Sequence, residues 1–187
     1  MAGGESVIKT ALDTYGKIDG LINLAAILRD RMVFNLSEEE WDDVIRIDLK
    51  GHFTTIKPAS IVMRQQRYGR IVNYSSVSGL QGNSGQANYG AAKAGVAGLT
   101  RVAARDLGRY GVTVNCIAPG MVYTPMVYTR GMTAEMREAR RTRSLLQTEG
   151  TGWDVGNAVV YLASDEARWV TGVVLPVDAG ATAGMGR

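Results

Sequence analysis

The sequence predicts an α/β fold built on a doubly wound parallel sheet. Short apolar runs of strand length alternate with longer segments that carry apolar residues at helical spacing. No internal repeat, linker or low-complexity stretch divides the 187 residues, so we expect a single domain over 1–187. Strands that alternate with helices in this way are typical of a sheet with helices on both faces.

Four apolar runs are the predicted strands. They cover residues 18–26, 70–75, 112–118 and 172–177. The first run is apolar on both faces, and an edge strand of that composition left bare would invite unwanted pairing. We therefore expect the four strands to belong to a larger sheet.

The helical segments are marked by signals at their ends. Apolar spacing predicts a first helix that ends at Gly16. Ser37 and Glu40 form a capping-box pattern that opens a long helix over 37–67, which Pro58 should bend or break. Further helices are predicted over residues 89–110, 134–145 and 153–164, and residues 76–88 are predicted to be a loop rich in small residues.

Composition excludes several classes of protein. The 21 Lys and Arg against 18 Asp and Glu give a net charge of +3, too small an excess to indicate nucleic-acid binding. No apolar segment approaches the ~20 residues of a membrane helix, and the start lacks the order of a signal peptide, so we expect a cytoplasmic protein without a membrane partner. The single cysteine, Cys116, is predicted to be buried and unreactive. No metal site is predicted.

Three residues carry the strongest chemical signal. Tyr89 and Lys93 are four residues apart on a predicted helix, so their side chains share one face. An ammonium beside a phenol favours the phenolate, which should lower the pKa of Tyr89 toward neutrality. Ser76 follows a strand and can hydrogen-bond the oxygen to which Tyr89 gives a proton. The alternative is that the Tyr–Lys pair is a solvated helix face.

Residues 69–120 resemble the core of the classical short-chain dehydrogenase/reductases. In that family a serine stands thirteen residues before the tyrosine of a Tyr-x-x-x-Lys motif, and Ser76 and Tyr89 have this spacing. Pro119-Gly120 follows the next strand, as in that family. The resemblance implies a Rossmann-like fold in which Tyr89 is the general acid/base. It implies that Lys93 holds the nicotinamide ribose and lowers the pKa of Tyr89, and that Ser76 positions the substrate.

The resemblance also implies a cofactor, NAD or NADP, and residues that bind it. Asn23 and Ala25 stand where the family has Asn-Asn-Ala-Gly, and Val122 and Thr124 match positions that meet the nicotinamide carboxamide. The expected cofactor-binding set is Asn23, Ala25, Tyr89, Lys93, Pro119, Gly120, Val122 and Thr124.

Two features depart from the family pattern. Asp48 replaces an asparagine that supports a proton relay, and its charge should raise the pKa of Tyr89; a purely structural role for Asp48 is the alternative. The glycine-rich fingerprint TGxxxGxG is absent, so the predicted strands correspond to strands 4 to 7 of the usual seven. We expect an N-terminally truncated form of the fold, either an active oxidoreductase or a non-catalytic subunit that acts in assembly or binding.

Several residues suggest the substrate and the partners. Residues 27–31 resemble a loop of 3-oxoacyl-carrier-protein reductases and of multifunctional-type 3-hydroxyacyl-CoA dehydrogenases, so the expected substrate is a ketone or alcohol carried on CoA or a carrier protein. Arg67 matches a position that meets the acidic carrier protein. His52 is expected to be a packing or interface residue. Helices 37–67 and 89–110 are those with which relatives build dimers and tetramers, so the resemblance implies a homo-oligomer, a dimer or a tetramer.

A cluster of four arginines lies on the predicted substrate lid. The cluster consists of Arg137, Arg140, Arg141 and Arg143. These side chains could meet the phosphates of CoA. The alternative is a solvated basic helix without a ligand.

Overall fold

Four parallel strands form the centre of the structure. The computed structural model describes residues 2–129 and 131–184. The strands are β1 (Gly20–Asn23), β2 (Gly69–Tyr74), β3 (Val112–Pro119) and β4 (Val174–Val177). They lie side by side in the order β1-β2-β3-β4, and all three pairings are parallel. The predicted parallel α/β sheet is confirmed.

Eight α-helices surround this sheet in the described part of the chain. They are α1 (Ala2–Tyr15), α2 (Glu38–Val44), α3 (Gly51–Gln66), α4 (Val77–Gln81), α5 (Ala87–Leu107), α6 (Pro125–Tyr128), α7 (Ala134–Arg141) and α8 (Gly152–Ala163). A π-helical segment, Ile45–Lys50, joins α2 to α3. Short 3₁₀ turns occupy Val33–Asn35, Gly108–Tyr110 and Asp165–Ala167.

The hydrophobic core has two parts because successive residues of a strand point to opposite faces of the sheet. On one face, Ile71 packs with residues of α1, α3 and α5. On the other face, Val72 packs with Val155 and Leu162 of α8. Both faces are therefore covered by helices, as a doubly wound sheet requires.

Three predicted elements differ most from the structure, while the helix predicted over 134–145 ends at Arg141 and the strand predicted over 172–177 begins at Val174. β1 is shorter than the predicted 18–26, because its pairing with β2 ends at Asn23 and the chain then turns away. The predicted loop 76–88 contains α4, which Ser76 caps by accepting a hydrogen bond from Ser78 N. The long helix is interrupted by the π-helical segment rather than at Pro58, which lies inside α3.

The capping box that opens this helix is present. Ser37 accepts a hydrogen bond from Glu40 N at 3.1 Å, and the Glu40 carboxylate accepts one from Ser37 N at 3.2 Å. The π-helical segment widens the turn, so Gly51 N donates to Arg46 O, five residues back. The widened turn lies next to the site described below. π-helical turns commonly mark functional positions.

Candidate active site

The carboxyl ends of β1, β2 and β3 open on one side of the sheet, and the predicted site residues follow them. Ser76 comes two residues after β2, and Pro119 is the last residue of β3. Tyr89 and Lys93 lie in the first turns of α5. In open parallel sheets this edge is where ligands bind. The structure thus brings together residues that are up to 43 positions apart in the sequence.

One cleft of about 460 Å³ contains the three residues predicted to do the chemistry. Ser76, Tyr89 and Lys93 all line it, and the Ser76 hydroxyl interacts with the phenol of Tyr89. The rest of the wall is largely apolar and includes Leu28 and Val155. An apolar cleft with a few convergent polar groups is typical of a small-molecule site.

Besides Tyr89 and Lys93, four of the predicted cofactor-binding residues line the same cleft. They are Pro119, Gly120, Val122 and Thr124. Asn23 and Ala25 do not line it; their neighbours Leu24 and Ala26 do. The buried amide of Asn23 is engaged within the protein, where it donates to Asn73 Oδ1 at 2.9 Å and accepts from Thr55 Oγ1 at 2.7 Å. The residues predicted to meet the nicotinamide carboxamide, Val122 and Thr124, thus line the same cleft as Tyr89.

Close packing of α4 on α5 holds Ser76 next to Lys93. A Cβ atom added to Gly79 would lie 2.7 Å from the carbonyl carbon of Lys93 and 2.8 Å from its Cβ. Ser75, between β2 and α4, donates its hydroxyl to Lys93 O at 2.8 Å. Glycine at position 79 is therefore required for the close approach of the two helices.

Lys93 is one of the most deeply buried side chains of the protein, with 1% of its surface exposed. Its Nζ donates to Tyr74 O at 3.1 Å and lies 3.7 Å from Oδ2 of Asp48. The same nitrogen lies 5.5 Å from the ring centroid of Tyr89. Lys93 therefore stands between the phenol on one side and a carboxylate on the other.

Asp48 is fully buried in the π-helical segment. Its Oδ1 accepts a hydrogen bond from Ile27 N at 2.8 Å, which fixes the start of the loop after β1. Burial raises the pKa of Asp48, against the opposing effects of Ile27 N and Lys93. Burial likewise lowers the pKa of Lys93, while Asp48 raises it.

The predicted lowering of the Tyr89 pKa is wrong for this structure. Burial, with smaller contributions from the charges of Asp48 and Asp30, raises the pKa of Tyr89 to about 12, although the hydrogen bond with Ser76 opposes this shift. The expected effect of Asp48 on Tyr89 is thus confirmed in direction. Sequence spacing places a lysine beside the tyrosine but does not show that a carboxylate faces the same ammonium.

Asn88 is a positioning residue that the sequence analysis missed. Its fully buried amide donates to Arg29 O at 3.0 Å and to Glu40 O at 3.1 Å, and its Oδ1 accepts from Tyr89 N at 2.8 Å. It thereby ties the N-terminus of α5 to the loop after β1 and to α2. A polar residue immediately before the tyrosine was the available signal.

The four lid arginines have different surroundings. Arg137 pairs with Glu149 at 2.6 Å and Arg141 with Glu138 at 2.6 Å, so both are surface ion pairs. Arg143 is exposed. Arg140 alone of the four lines the cleft, where its Nη2 donates to Val122 O at 3.3 Å. The solvated-helix interpretation fits three of these residues and fails for Arg140.

Two further buried residues near the site, Cys116 and His52, are uncharged at neutral pH. Cys116 is fully buried, and burial raises its pKa to about 11, which confirms an unreactive thiol. His52 is buried as expected, and burial together with the charge of Lys93 lowers its pKa to about 4. Among residues 2–129 and 131–184, no group of three or more His, Cys, Asp or Glu could hold a metal ion. Within the same ranges no helix is long and apolar enough to cross a membrane.

The parallel sheet and the cleft at its carboxyl edge define a class of protein, the Rossmann-like oxidoreductases. A family model described as enoyl-(acyl carrier protein) reductase matches residues 2–182. The chain belongs to the short-chain dehydrogenase/reductase family, and the predicted class of NAD(P)-dependent reductase is confirmed.

Similar proteins agree with this assignment. The chain is 44% identical over 176 residues to a 3-oxoacyl-[acyl-carrier-protein] reductase of Staphylococcus aureus, which covers 94% of this chain and 71% of that relative. It is 42% identical over 176 residues to the reductase of the same name from Thermotoga maritima, with the same coverage. The crystal structure of a levodione reductase is similar with a TM-score of 0.95 and 32% identity, covering 98% of this chain and 74% of the other.

Proposed function

We propose that this protein interconverts a ketone and a secondary alcohol with NAD or NADP, and that its substrate is a 3-oxoacyl or 3-hydroxyacyl thioester. The observation that supports this most directly is the convergence of Ser76, Tyr89 and Lys93 in one largely apolar cleft. The substrate class rests on the similarity to 3-oxoacyl-carrier-protein reductases at 44% identity.

In this proposal each polar residue of the cleft has one task. A bound nicotinamide would supply or accept the hydride. Tyr89 donates a proton to the carbonyl oxygen during reduction and removes it during oxidation. Ser76 donates a hydrogen bond to the same oxygen, which its interaction with the Tyr89 phenol favours. Lys93 would bind the ribose hydroxyls of the cofactor.

The cleft also supplies an orienting surface. Val122 and Thr124 present backbone and hydroxyl groups at the position proposed for the carboxamide, and Pro119 and Gly120 form the turn before them. Gly120 is required because a Cβ there would lie 2.6 Å from the Cβ of Asp178, just after β4. Apolar walls exclude water, which strengthens the interactions of the reacting oxygen with its donors.

Two basic sites suit an anionic carrier of the acyl group. Arg140 lines the cleft, and its buried Nε has no hydrogen-bond partner among the described residues, so its guanidinium can bind a phosphate of the carrier. Arg67 lies at the end of α3, 5.4 Å from the ring centroid of Tyr110, which Arg64 and Arg109 also approach. We propose this arginine cluster as the surface for an acidic carrier protein.

Replacement of Tyr89 by phenylalanine tests the proposal. Reduction of acetoacetyl-CoA should be followed by the loss of NADH or NADPH absorbance. The Tyr89→Phe variant removes only the hydroxyl that transfers the proton, so we expect kcat to fall by about 10²–10⁴-fold. Tyr161→Phe, on α8 and outside the cleft, is the matched control and should retain activity. Undiminished turnover by Tyr89→Phe would contradict the proposed role.

A further inference from the structure

The carboxylate of Asp48 has a contact that a structural role does not explain. Its Oδ1 is held by Ile27 N at 2.8 Å. Its Oδ2 is buried and has no hydrogen-bond partner in the part of the chain that the structure describes. The nearest cation to that oxygen is Lys93, 3.7 Å away, and both side chains are at most 1% exposed.

An amide at this position would serve the loop equally well. Asparagine presents the same Oδ1 acceptor to Ile27 N but carries no charge. What aspartate adds is therefore the charge on Oδ2, which lies in a medium of low dielectric where charges act strongly on each other. That charge faces Lys93, and through Lys93 it acts on Tyr89.

The other titratable groups packed around this pair leave its charge balance unchanged near neutrality. His52 of α3 is neutral there, since burial holds its pKa at about 4. Cys116 of β3 is also neutral, with a pKa of about 11. Asp30, in the loop after β1, adds a second negative charge that disfavours the Tyr89 phenolate. The Lys93 ammonium lies 5.5 Å from the ring centroid of Tyr89 and is the cation that Asp48 faces.

We propose that Asp48 is a positioning residue whose negative charge cancels that of Lys93, so that Tyr89 enters each catalytic cycle as a neutral phenol. The inference rests on the proposed function. It assigns reduction of the ketone as the direction of the reaction at neutral pH. In reduction the carbonyl carbon gains hydride from the reduced nicotinamide, which is oxidised, and the carbonyl oxygen gains the Tyr89 proton; water then reprotonates the phenolate. Oxidation of the alcohol needs the phenolate first, so it begins at higher pH.

The Asp48→Asn variant tests this inference through its pH profile. Without the carboxylate, Lys93 acts on Tyr89 alone, and we expect the rising limb of kcat/KM for alcohol oxidation to move down by about one pH unit or more. At a fixed pH on that limb the rate of oxidation should rise about tenfold. Asp42→Asn, the same chemical change at an exposed position of α2, should leave the profile in place.

Two results would overturn the inference. One is an Asp48→Asn profile that superimposes on that of the wild type. The other is loss of turnover at every pH with an unchanged melting temperature, because cancellation of charge predicts that activity is retained. In both cases Tyr89→Phe still reports on the proposed function, so the failure of one is distinguishable from the failure of the other.

A second measurement leaves Asp48 in place, so it does not depend on the folding of the Asp48→Asn variant. The difference in phenolate absorbance between wild type and Tyr89→Phe gives the ionisation of Tyr89 directly. We expect no Tyr89 phenolate below a pH of about 10, the ordinary pKa of tyrosine. A Tyr89 phenolate that forms between about pH 7 and pH 8 would overturn the inference.

Discussion

Replacement of Gly79 by alanine should lower activity without any change to a reacting group. The added Cβ would lie 2.7 Å from the Lys93 carbonyl carbon, whereas ordinary contact begins at 3.4 Å. Helix α4 must therefore retreat by about 0.7 Å, and Ser76 at its N-terminus moves with it. A displacement approaching 1 Å in a catalytic site costs on the order of 10- to 100-fold in rate. Overpacking of this kind also destabilises a fold by about 1–3 kcal/mol.

The steady-state rate of ketone reduction and the melting temperature measure the two effects separately. Gly98→Ala is the matched control, because it lies on α5, the helix against which Gly79 packs, and its added Cβ would meet nothing within 4 Å. That change should stabilise the protein by about 0.5–1 kcal/mol and leave kcat/KM unchanged. If Gly79→Ala retains the kcat/KM of the wild type, close approach of α4 to Lys93 does not position Ser76.

Three further predictions follow from the arginines and from His52. Arg140→Gln should raise KM for acetoacetyl-CoA about tenfold and leave KM for the neutral N-acetylcysteamine thioester unchanged, since one charge-assisted contact is lost; equal effects on both would exclude a phosphate contact. Arg67→Glu should weaken turnover of the carrier-protein thioester but not of the CoA thioester, which a direct comparison of kcat/KM decides. His52 has a pKa of about 4 when folded against 6.5 when unfolded, so it destabilises the fold by up to roughly 3 kcal/mol as the pH falls from 6.5 toward 4. The urea midpoint should therefore change less between pH 6.5 and pH 4 for His52→Phe than for the wild type. Equal changes in the two proteins would contradict the lowered pKa of His52.

The sheet and the position of the site could be predicted because both depend on local patterns. Apolar runs bounded by glycine and polar residues marked all four strands, and the site followed from the spacing of Ser76 to the Tyr-x-x-x-Lys motif and from the family resemblance. Ser76, Tyr89 and Lys93 came from one motif with fixed spacing, which the structure brings into one cleft. Residues within one motif are positioned mainly by their own strand and helix, so little long-range information was needed.

The details that could not be predicted depend on contacts distant in sequence or on fine differences in backbone geometry. The π-helical segment has almost the same apolar spacing as an α-helix, so hydrophobic periodicity does not distinguish the two. Helix α4 has five residues, too few for its spacing to identify it. The engagement of Asn23 with Asn73 spans 50 positions and has no local signal.

The electrostatics of the site show most clearly what a motif leaves open. A Tyr-x-x-x-Lys spacing fixes where the ammonium lies relative to the phenol, but the pKa of the phenol depends on the sum of all charges in the buried volume. Here Asp48 enters that volume from a helix 45 positions upstream of Lys93, and it faces the ammonium at 3.7 Å. Two chains with the same motif can therefore hold the proton of the same tyrosine at different pH values. It follows that the identity of residue 48, as aspartate or asparagine, is needed along with the motif to predict the pH at which each direction of the reaction proceeds.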